Sequence, residues 1–329
     1  MRSSWFRVGI PALLVVVLMA ESVFAGPMAG GSKAKEIKKL DKNRETPPKI
    51  VKDKESMNRL AAILAKETLT ERDYMEIRAI LEKMENISID DQAWVHLKDY
   101  IDSERAKKKW LIEKSKRERE HKKDASATSV RAGILSINPQ NHIPILVQQY
   151  PDLFGGFLYE GQNYADEVFY ISNGLKTVDG IRVYEFEYTQ VYRDEDAPWP
   201  WDGAYDDIRY ANWGRWEDIE TYYLYVYQNG TPWKFYFYYG EPVNNGIYSG
   251  SATYYTLPGP HIIAYVPWSS FSKSGDRPYI YVNTWNHALG ENDNNPDMSN
   301  WVSACAETQG SRVDAEIKYV DDCSLSPFC

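Results

Sequence analysis

The sequence predicts a segregated α+β protein, in which an N-terminal helical hairpin or small bundle precedes an all-β sandwich domain. Three observations support this fold class. The stretch from Lys33 to Asp124 carries 25 Lys and Arg against 20 Asp and Glu, whereas the rest is acidic and the whole chain has a net charge of −9. Most aromatic residues follow Asp124. Apolar residues recur at helical spacing before that point and alternate with period two after it.

The first 25 residues have the features of a cleavable secretory signal. Two arginines precede an apolar run from Val8 to Ala20, and Val23 and Ala25 are small residues at the positions that signal peptidase reads. The run is short for a membrane span, which needs about 20 residues. We therefore expect a secreted, periplasmic or cell-surface protein with no transmembrane segment after cleavage and no nucleic-acid partner.

Residues 26–54 are rich in Lys and Pro and predict a disordered tether. Helical spacing begins after it, within a segment that extends over residues 55–124. Thr70 and Asp73 predict a capping box at the start of a second helix. A third helical segment repeats the second at an offset of 20 residues, with Asp90 at the equivalent cap. The shared apolar seam indicates a hairpin or three-helix bundle.

The third helix continues into a stretch rich in Lys and Arg, residues 107–123. One interpretation is a basic arm that binds anionic lipid, cell-wall polymer or nucleic acid, of which export disfavours the last. The other is a solvated helix that connects two domains and offers a protein contact. Acidic residues such as Glu104 and Glu113 are interleaved at i, i+3 and i, i+4 distances, which favours the second interpretation.

Residues 125–329 show the alternation and the turn residues of short strands. The clearest strand is Ile181 to Tyr192, in which aromatic side chains face one way and Glu and Thr the other. Asn229-Gly230 predicts a two-residue hairpin between strands at residues 217–227 and 231–239. Further strands are predicted at residues 252–256, 261–267, 278–283 and 314–320. Strands at this spacing indicate a sandwich or barrel.

Exposed Trp and Tyr rings can stack on sugar rings, and this half of the chain holds more aromatic residues than one domain can bury. The leading hypothesis is therefore a non-catalytic binding protein that engages glycan or cell-envelope polymer. The candidate ligand-binding residues are Trp199, Trp201, Trp213, Trp216 and Trp268.

Asp218 and Glu220 lie two apart in a predicted strand, so their side chains share a face. Paired carboxylates at this spacing suit glycoside hydrolysis. A carboxylate-dependent hydrolase is thus an alternative function, with Glu217, Asp218, Glu220 and His287 as catalytic candidates. A hydrogen-bonded structural role is the other interpretation of His287.

A metal site is predicted by oxygen ligands at alternate positions of an acidic stretch, namely Glu291, Asp293, Asn295 and Asp297. Ca²⁺ is the expected ion outside the cell. An EF-hand is excluded because Met298 stands where that loop needs Gly. Ordinary acidic turns are the alternative.

The cysteines are Cys305, Cys323 and Cys329. In an oxidising compartment we expect one disulfide among them, with all three pairings open.

Two segments carry a distant resemblance to known families. Gly214-Arg215-Trp216-Glu217-Asp218 with the following hairpin resembles the G-D-W-E-H strand and hairpin of a vacuolar protein sorting-associated family. Arg277-Pro278-Tyr279-Ile280-Tyr281 through Asn286-His287-Ala288 resembles that family's R-P-x-x-Y…S-H-A segment.

The same Trp216-Glu217 pair is similar to the motif of necrosis-inducing lytic proteins, which bind a divalent cation in a β-sandwich. The resemblance covers residues 208–288 and implies a β-sandwich with a cleft around Trp216, Glu217 and His287. It also implies a third hypothesis, a cation-dependent membrane-active protein. Arg215 stands where the first family has Asp, and neither histidine of the lytic motif is present.

Overall fold

A computed structural model gives the chain a mixed α+β fold. It describes residues 53–125, 137–150, 165–193, 202–237, 264–282, 287, 289–292, 299–302 and 305–326. The helices are α1 (Lys54–Leu64), α2 (Glu71–Glu85), α3 (Asp91–Ala125), α4 (Asp202–Trp213) and α5 (Arg312–Lys318). The strands are β1 (Ile145–Tyr150), β2 (Ala165–Val178), β3 (Ile181–Tyr192), β4 (Asp218–Tyr227), β5 (Pro232–Phe237), β6 (Ala264–Pro267), β7 (Lys273–Ser274), β8 (Arg277–Val282), β9 (Leu289–Gly290), β10 (Ser299–Val302) and β11 (Ala306–Gln309).

The N-terminal helices pack on one another as the periodicity predicts. The capping box of α2 is confirmed: the backbone N–H of Thr70 donates to Asp73 at 2.9 Å, and Asp73 donates its own N–H to the Thr70 hydroxyl at 3.3 Å. Asp90 accepts the N–H of Ala93 at 2.8 Å, which confirms the equivalent cap of α3. The predicted leader and nearly all of the tether lie outside the described residues.

Two helices in the second half correct the prediction that this half is all-β. The apolar side chains of α4, among them Tyr205 and Ile208, are buried in the same cluster as those of α1, α2 and α3. Helix α5 occupies most of the segment 314–320, for which a strand was predicted. Its alternating pattern misleads because Ser311 caps a helix there, and Arg312 and Glu316 form an i, i+4 ion pair.

Two sheets make up the strand part of the fold. The larger sheet has the order β11-β2-β3-β4-β5-β6, antiparallel except for the parallel pair β11 and β2. The smaller has the order β10-β1-β8-β7, with β9 also paired to β8. A hairpin joins β4 and β5 as predicted, and Gly230 has a φ of 89°, but residues 228–231 lie between the two strands, so the connection is longer than the two residues that were predicted. Residues 252–256 lie outside the described part.

One buried apolar cluster contains side chains of both sheets. Phe186 and Leu224 of the larger sheet share it with Leu146 and Ile280 of the smaller one. The predicted alternation of β3 is confirmed, since Phe186, Tyr188 and Tyr192 are all buried in this cluster. The opposite face of the larger sheet packs against α5, where Ile219 and Ala315 are fully buried.

Helix α3 packs against α4 and forms ion pairs with the larger sheet through its lysines, instead of crossing solvent as a connecting helix. Leu111 and Ser115 are 0% and 3% exposed, and the ammonium of Lys114 is paired with Glu187 of β3. The prediction of a solvated helix is therefore wrong for the side of α3 that carries Lys107 and Lys114, whereas binding of a polymer or a protein by the basic stretch stays a prediction. Within the described residues, no helix is sufficiently long and apolar to cross a membrane.

Candidate functional site

Buried charged side chains meet between α3 and the first half of β4. Lys107 is 3% exposed, and its Nζ lies 3.2 Å from Oε1 of Glu220 and 3.8 Å from Oδ1 of Asp218. The same Nζ lies 3.5 Å from Oε1 of Glu104. Three carboxylates therefore share one ammonium group. We call these four residues, together with His287, the Lys107 cluster.

Local structure positions each member of the cluster. Asp218 and Glu220 alternate with Tyr222 on the face of β4 that lines the core, which confirms that the two carboxylates share a face. Glu104 and Lys107 lie at i, i+3 on α3, so they are neighbours on one side of the helix. The carboxylates thus continue the core of the sheet where α3 approaches it.

His287 is held against Asp218. Its Nδ1 lies 2.7 Å from Oδ2 of Asp218, and its ring stacks on Tyr192 with 3.6 Å between centroids. The backbone of His287 has a φ of 59°, a left-handed conformation that His adopts more readily than most residues with a Cβ. The imidazole is therefore fixed by one hydrogen bond and one stacked ring.

The charges of the cluster act on one another. Burial acts to raise the pKa of Asp218, but Lys107 and the hydrogen bond with His287 hold that pKa well below its ordinary value. Burial raises the pKa of Glu220 to about 7, an effect that Lys107 opposes and Asp218 reinforces. The pKa values of these two neighbouring carboxylates are thus shifted in opposite directions, as is common for like charges that share a buried site.

Helix α4 and its following turn enclose the cluster. Nε1 of Trp213 donates to Oε2 of Glu104 at 2.5 Å, and the side-chain amide of Asn212 donates to the Glu104 carbonyl at 3.1 Å. Arg209 donates to the hydroxyl of Tyr100 at 2.7 Å. These hydrogen bonds connect α3 and α4, and two of them involve Glu104 of the cluster.

A hydrogen-bonded Asp–His pair can orient an imidazole for general acid–base chemistry. Here the side chains of His287 and Asp218 are 0% and 5% exposed, so a substrate would have to displace packed groups to touch them. In the part of the chain that the structure describes, no group of three or more His, Cys, Asp and Glu is placed to hold a metal ion. The cluster therefore resembles an ionic tie between a helix and a strand.

A second candidate site lies on the opposite side of the larger sheet. The rings of Tyr236 and Tyr265 are 4.3 Å apart and nearly parallel, at 9°. Tyr225 is stacked on Tyr236 at 6.3 Å, and Tyr227 on Trp233 at 5.4 Å. We call these five residues the outer aromatic face.

The strand period and one bulge create this face. Because Leu224, Val226 and Phe235 point into the core, their neighbours in the strands point away from it. The β4–β5 pairing passes from Lys234 to Pro232, so Trp233 is an extra residue with no partner on β4. A bulge of this kind redirects a side chain, and Trp233 accordingly lies beside Lys234.

Lys234 supplies the charge of the outer aromatic face. Its Nζ lies 4.1 Å from the ring centroids of both Trp233 and Tyr265, within the range of cation–π attraction. The same ammonium is paired with Asp179 at 2.7 Å. Tyr265 is 50% exposed, whereas Tyr225 is only 5% exposed. The face therefore runs from buried rings at its centre to an exposed ring on the edge strand β6.

The tryptophan residues that were predicted to bind ligand contribute to packing where they are described. Trp213 is 1% exposed, so its prediction as an exposed platform is wrong. Trp216 is half-buried against the helical cluster, where it stacks on Tyr210 at 4.3 Å, and Trp268 stacks on Phe235 at 5.9 Å. Trp199 and Trp201 lie outside the described residues.

The structure brings only some of the other predicted site residues together. Asp218, Glu220 and His287 converge in the Lys107 cluster. Glu217 does not join them; it is half-buried and acts electrostatically on Tyr319. Burial and Glu167 raise the pKa of Tyr319, with a smaller contribution from Glu217. Of the predicted metal ligands, Glu291 is half-buried. Asp293, Asn295 and Asp297 lie outside the described residues.

Cys305 is present as a thiol that donates to the carbonyl of Ala165 at 3.4 Å, so the pairings that involve it are not formed. Cys323 is disulfide-bonded. Cys329 lies outside the described residues, and a Cys323–Cys329 pair is the one that we still expect.

Sequence reasoning missed Lys107, the cation of the first site, and Lys114, which lies on the same helix. Lys107 and Lys114 were assigned to a solvated surface, although one buried stripe continues along α3 at spacings of three and four, through Leu97, Ile101, Glu104, Lys107, Leu111 and Ser115. That stripe was the available signal that α3 stays buried beyond Ile101. For the tyrosines of the outer aromatic face, the available signal was their alternation with Leu224 and Phe235, from which their outward direction could be predicted.

Comparison of the chain with protein-family models, with curated proteins and with solved structures found no match.

Proposed function

We propose that this protein acts outside the cytoplasm as a binding protein for glycan or cell-envelope polymer, through the outer aromatic face. One observation carries the proposal: the row of rings Tyr225, Tyr236 and Tyr265, next to Lys234, on the side of the sheet that faces away from the core. Sugar rings present C–H groups that pack on aromatic faces, and hydroxyl groups that accept hydrogen bonds from an ammonium.

The fold suits this role. We propose that the two sheets, which contribute to one apolar cluster, form a β-sandwich. Such a scaffold holds a flat aromatic surface with little conformational freedom, and rigid rings lose little entropy on binding. The resemblance of residues 208–288 to sandwich proteins supports the same architecture and remains a proposal.

Binding of the full chain to insoluble cellulose, chitin and peptidoglycan tests this proposal, with anionic liposomes as a further probe. We expect retention on at least one polysaccharide and a loss of about 1 kcal/mol, roughly fivefold in Kd, for Tyr265→Ala. Tyr279→Ala is the matched control, because Tyr279 is a half-buried tyrosine of the smaller sheet. Equal losses in the two variants, or no retention of the natural protein, would refute the proposal.

Two further hypotheses are tested in the same assay. The first is that the acidic stretch from Glu291 to Asp297 binds Ca²⁺, which the spacing of its oxygen ligands supports. This hypothesis predicts that EDTA weakens retention. Retention on liposomes alone would favour the membrane-active alternative.

A hydrolase of the glycoside type is the second candidate function, and the hydrogen bond between Asp218 and His287 favours it. It predicts release of soluble sugar from the bound polysaccharide. His287→Asn keeps a residue suited to positive φ and should abolish that release. Unchanged release in this variant would remove His287 from the chemistry.

A further inference from the structure

An ion pair lies beside the exposed ring of the outer aromatic face. Nζ of Lys234 lies 4.1 Å from the ring centroid of Tyr265 and 2.7 Å from Oδ2 of Asp179. The side chain of Asp179 is 65% exposed, whereas that of Lys234 is 11% exposed. A ligand that reaches Tyr265 from solvent therefore meets mainly the carboxylate of this pair.

The turn between β2 and β3 fixes the position of Asp179. Asp179 and Gly180 are the two residues between these strands, with φ values of 50° and 78°. Positive φ at both central residues is typical of two-residue hairpins whose twist suits the strands, and Asp-Gly is a favoured pair there. Val178 and Ile181 pair with each other on either side of the turn. Because the backbone is already ordered, binding at Asp179 does not require ordering of a loop.

Both members of the pair can form hydrogen bonds to a ligand. The ammonium of Lys234 has three N–H donors, and Asp179 is its one hydrogen-bond acceptor among the described residues. The carboxylate of Asp179 can accept about four hydrogen bonds and is largely exposed. Adjacent hydroxyl groups of one sugar ring match this pair, because one can donate to the carboxylate while its neighbour accepts from the ammonium.

The charges around the outer aromatic face balance in number. Cross-strand partners share one face of a sheet, so the register with Tyr223, Tyr225 and Tyr227 identifies the neighbouring side chains on this side. Among the described residues, the charged side chains that surround these tyrosines are Lys114, Lys176, Lys234, Asp179, Glu185 and Glu187. Three ammonium groups thus stand against three carboxylates. The face has no excess of positive charge with which to attract a polyanion.

We infer that the outer aromatic face binds a neutral polysaccharide, one sugar ring of which packs against Tyr265 and places two adjacent hydroxyl groups on the Asp179–Lys234 pair. This inference rests on the proposed function and narrows its ligand to neutral glycans. A polymer of uronic acids would bring its carboxylates next to Asp179, and like charges brought together select against the wrong partner.

Retention of the full chain on matched neutral and acidic polymers tests the inference. The matrices are cellulose, chitin and mannan, each in its natural form and after oxidation of its C6 hydroxyl groups to carboxylates. We expect retention on at least one natural polymer, at low and high salt alike, and weaker retention on its oxidised form at low salt. Stronger retention on an oxidised form would overturn the inference and leave the proposed function standing. No retention on any of the matrices would refute both.

Asp179→Asn shows whether the carboxylate makes the contact. Asn tolerates a positive φ, so the turn is kept while the charge is lost. We expect roughly fivefold weaker binding to the natural polymer and a smaller preference over its oxidised form. Asp166→Asn is the matched control, because Asp166 is paired with Arg193 at the other end of β2. An unchanged affinity in Asp179→Asn, or equal losses in the two variants, would overturn the inference.

Discussion

Nζ of Lys114 lies 2.7 Å from Oε2 of Glu187, which joins α3 to the outer side of β3. The other carboxylate oxygen of Glu187, Oε1, accepts the backbone N–H of Arg312 at 2.7 Å, and the side-chain amide of Asn173 donates to Oε2 at 3.2 Å. Glu187 is 1% exposed. One buried carboxylate therefore joins a helix of the N-terminal half, two strands and the start of α5.

Replacing Lys114 with Met should destabilise the fold strongly. The substitution keeps much of the aliphatic stem but leaves the carboxylate of Glu187 buried without its ammonium partner. Removing one partner of a buried ion pair costs about 3–5 kcal/mol. Urea denaturation at pH 7 measures this loss.

Lys116→Met is the control for this experiment, since Lys116 is exposed on the same helix. It should change stability by less than about 0.5 kcal/mol. Lys114→Met combined with Glu187→Gln should recover part of the loss, because the buried charge is then absent. Equal losses for Lys114→Met and Lys116→Met would show that the pair contributes nothing.

Acid should unfold the protein through a small set of buried carboxylates. Burial acts to raise the pKa values of Glu187 and Glu316, but Lys114 and the two arginines hold both below the ordinary 4.5. A lowered pKa contributes stability above the ordinary value, and that stability is lost as the pH falls through the folded-state value. Thermal unfolding should therefore shift to lower temperature below about pH 4.5. Glu187→Gln should show a smaller acid shift than the natural protein, and an unchanged shift would contradict this explanation.

Gly214, the residue after α4, contacts the C-terminal segment, and Gly214→Ala should disrupt this contact. The carbonyl of Gly214 accepts the N–H groups of Asp321 and Asp322, at 2.8 and 3.0 Å. Its φ is 72°, and a Cβ would come within 3.0 Å of the Asp322 carbonyl oxygen, which is backbone and cannot rotate away. We expect a loss of more than about 2 kcal/mol, measured in urea.

Gly180→Ala is a control that has the backbone strain of a positive φ but no steric collision of the added Cβ. Gly180 has a φ of 78°, but nothing lies within 4 Å of an added Cβ. The cost there should be only that of a left-handed residue with a Cβ, about 1–2 kcal/mol. Equal losses at the two positions would mean that the contact with Asp322 is unimportant.

Local patterns predicted those elements whose structure is decided locally. The strand Ile181–Tyr192 has the predicted bounds, and the cap at Thr70 forms as expected; the hairpin at Gly230 forms too, with a longer connection than predicted. Helix α4 was not predicted, although the helical spacing of Ala204, Ile208 and Ala211 was an available signal. Two of its acidic residues, Asp206 and Asp207, are only 8% and 6% exposed.

The sites could be predicted only in part, because their partners are distant in the chain. Asp218 and Glu220 share a face by strand period alone, so that part was available. Lys107 lies 113 residues from Glu220, and His287 lies 69 residues from Asp218. No spacing rule connects such positions, since the packing of α3 and α4 on the sheet decides which charges meet.

Ser311 and Asp314 form a capping box at the start of α5. The hydroxyl of Ser311 accepts the N–H of Asp314, and the Asp314 carboxylate accepts the N–H of Ser311 at 2.7 Å. This Ser-x-x-Asp signal is what the strand prediction overlooked. A helix of seven residues is too short to be stable alone, so its start should depend on the cap and on packing.

Ser311→Ala should therefore cost about 1 kcal/mol in urea, the usual loss at a helix N-cap. The backbone N–H of Arg312 would also lose its fixed direction toward Glu187, so the loss should fall at the upper end of the range for caps. Ser270→Ala serves as the control, because Ser270 is exposed at the end of a short 3₁₀ turn. If the two variants were equally stable, packing of Ala315 and Arg312 alone would hold α5 in place, and the cap would have no role in choosing helix over strand.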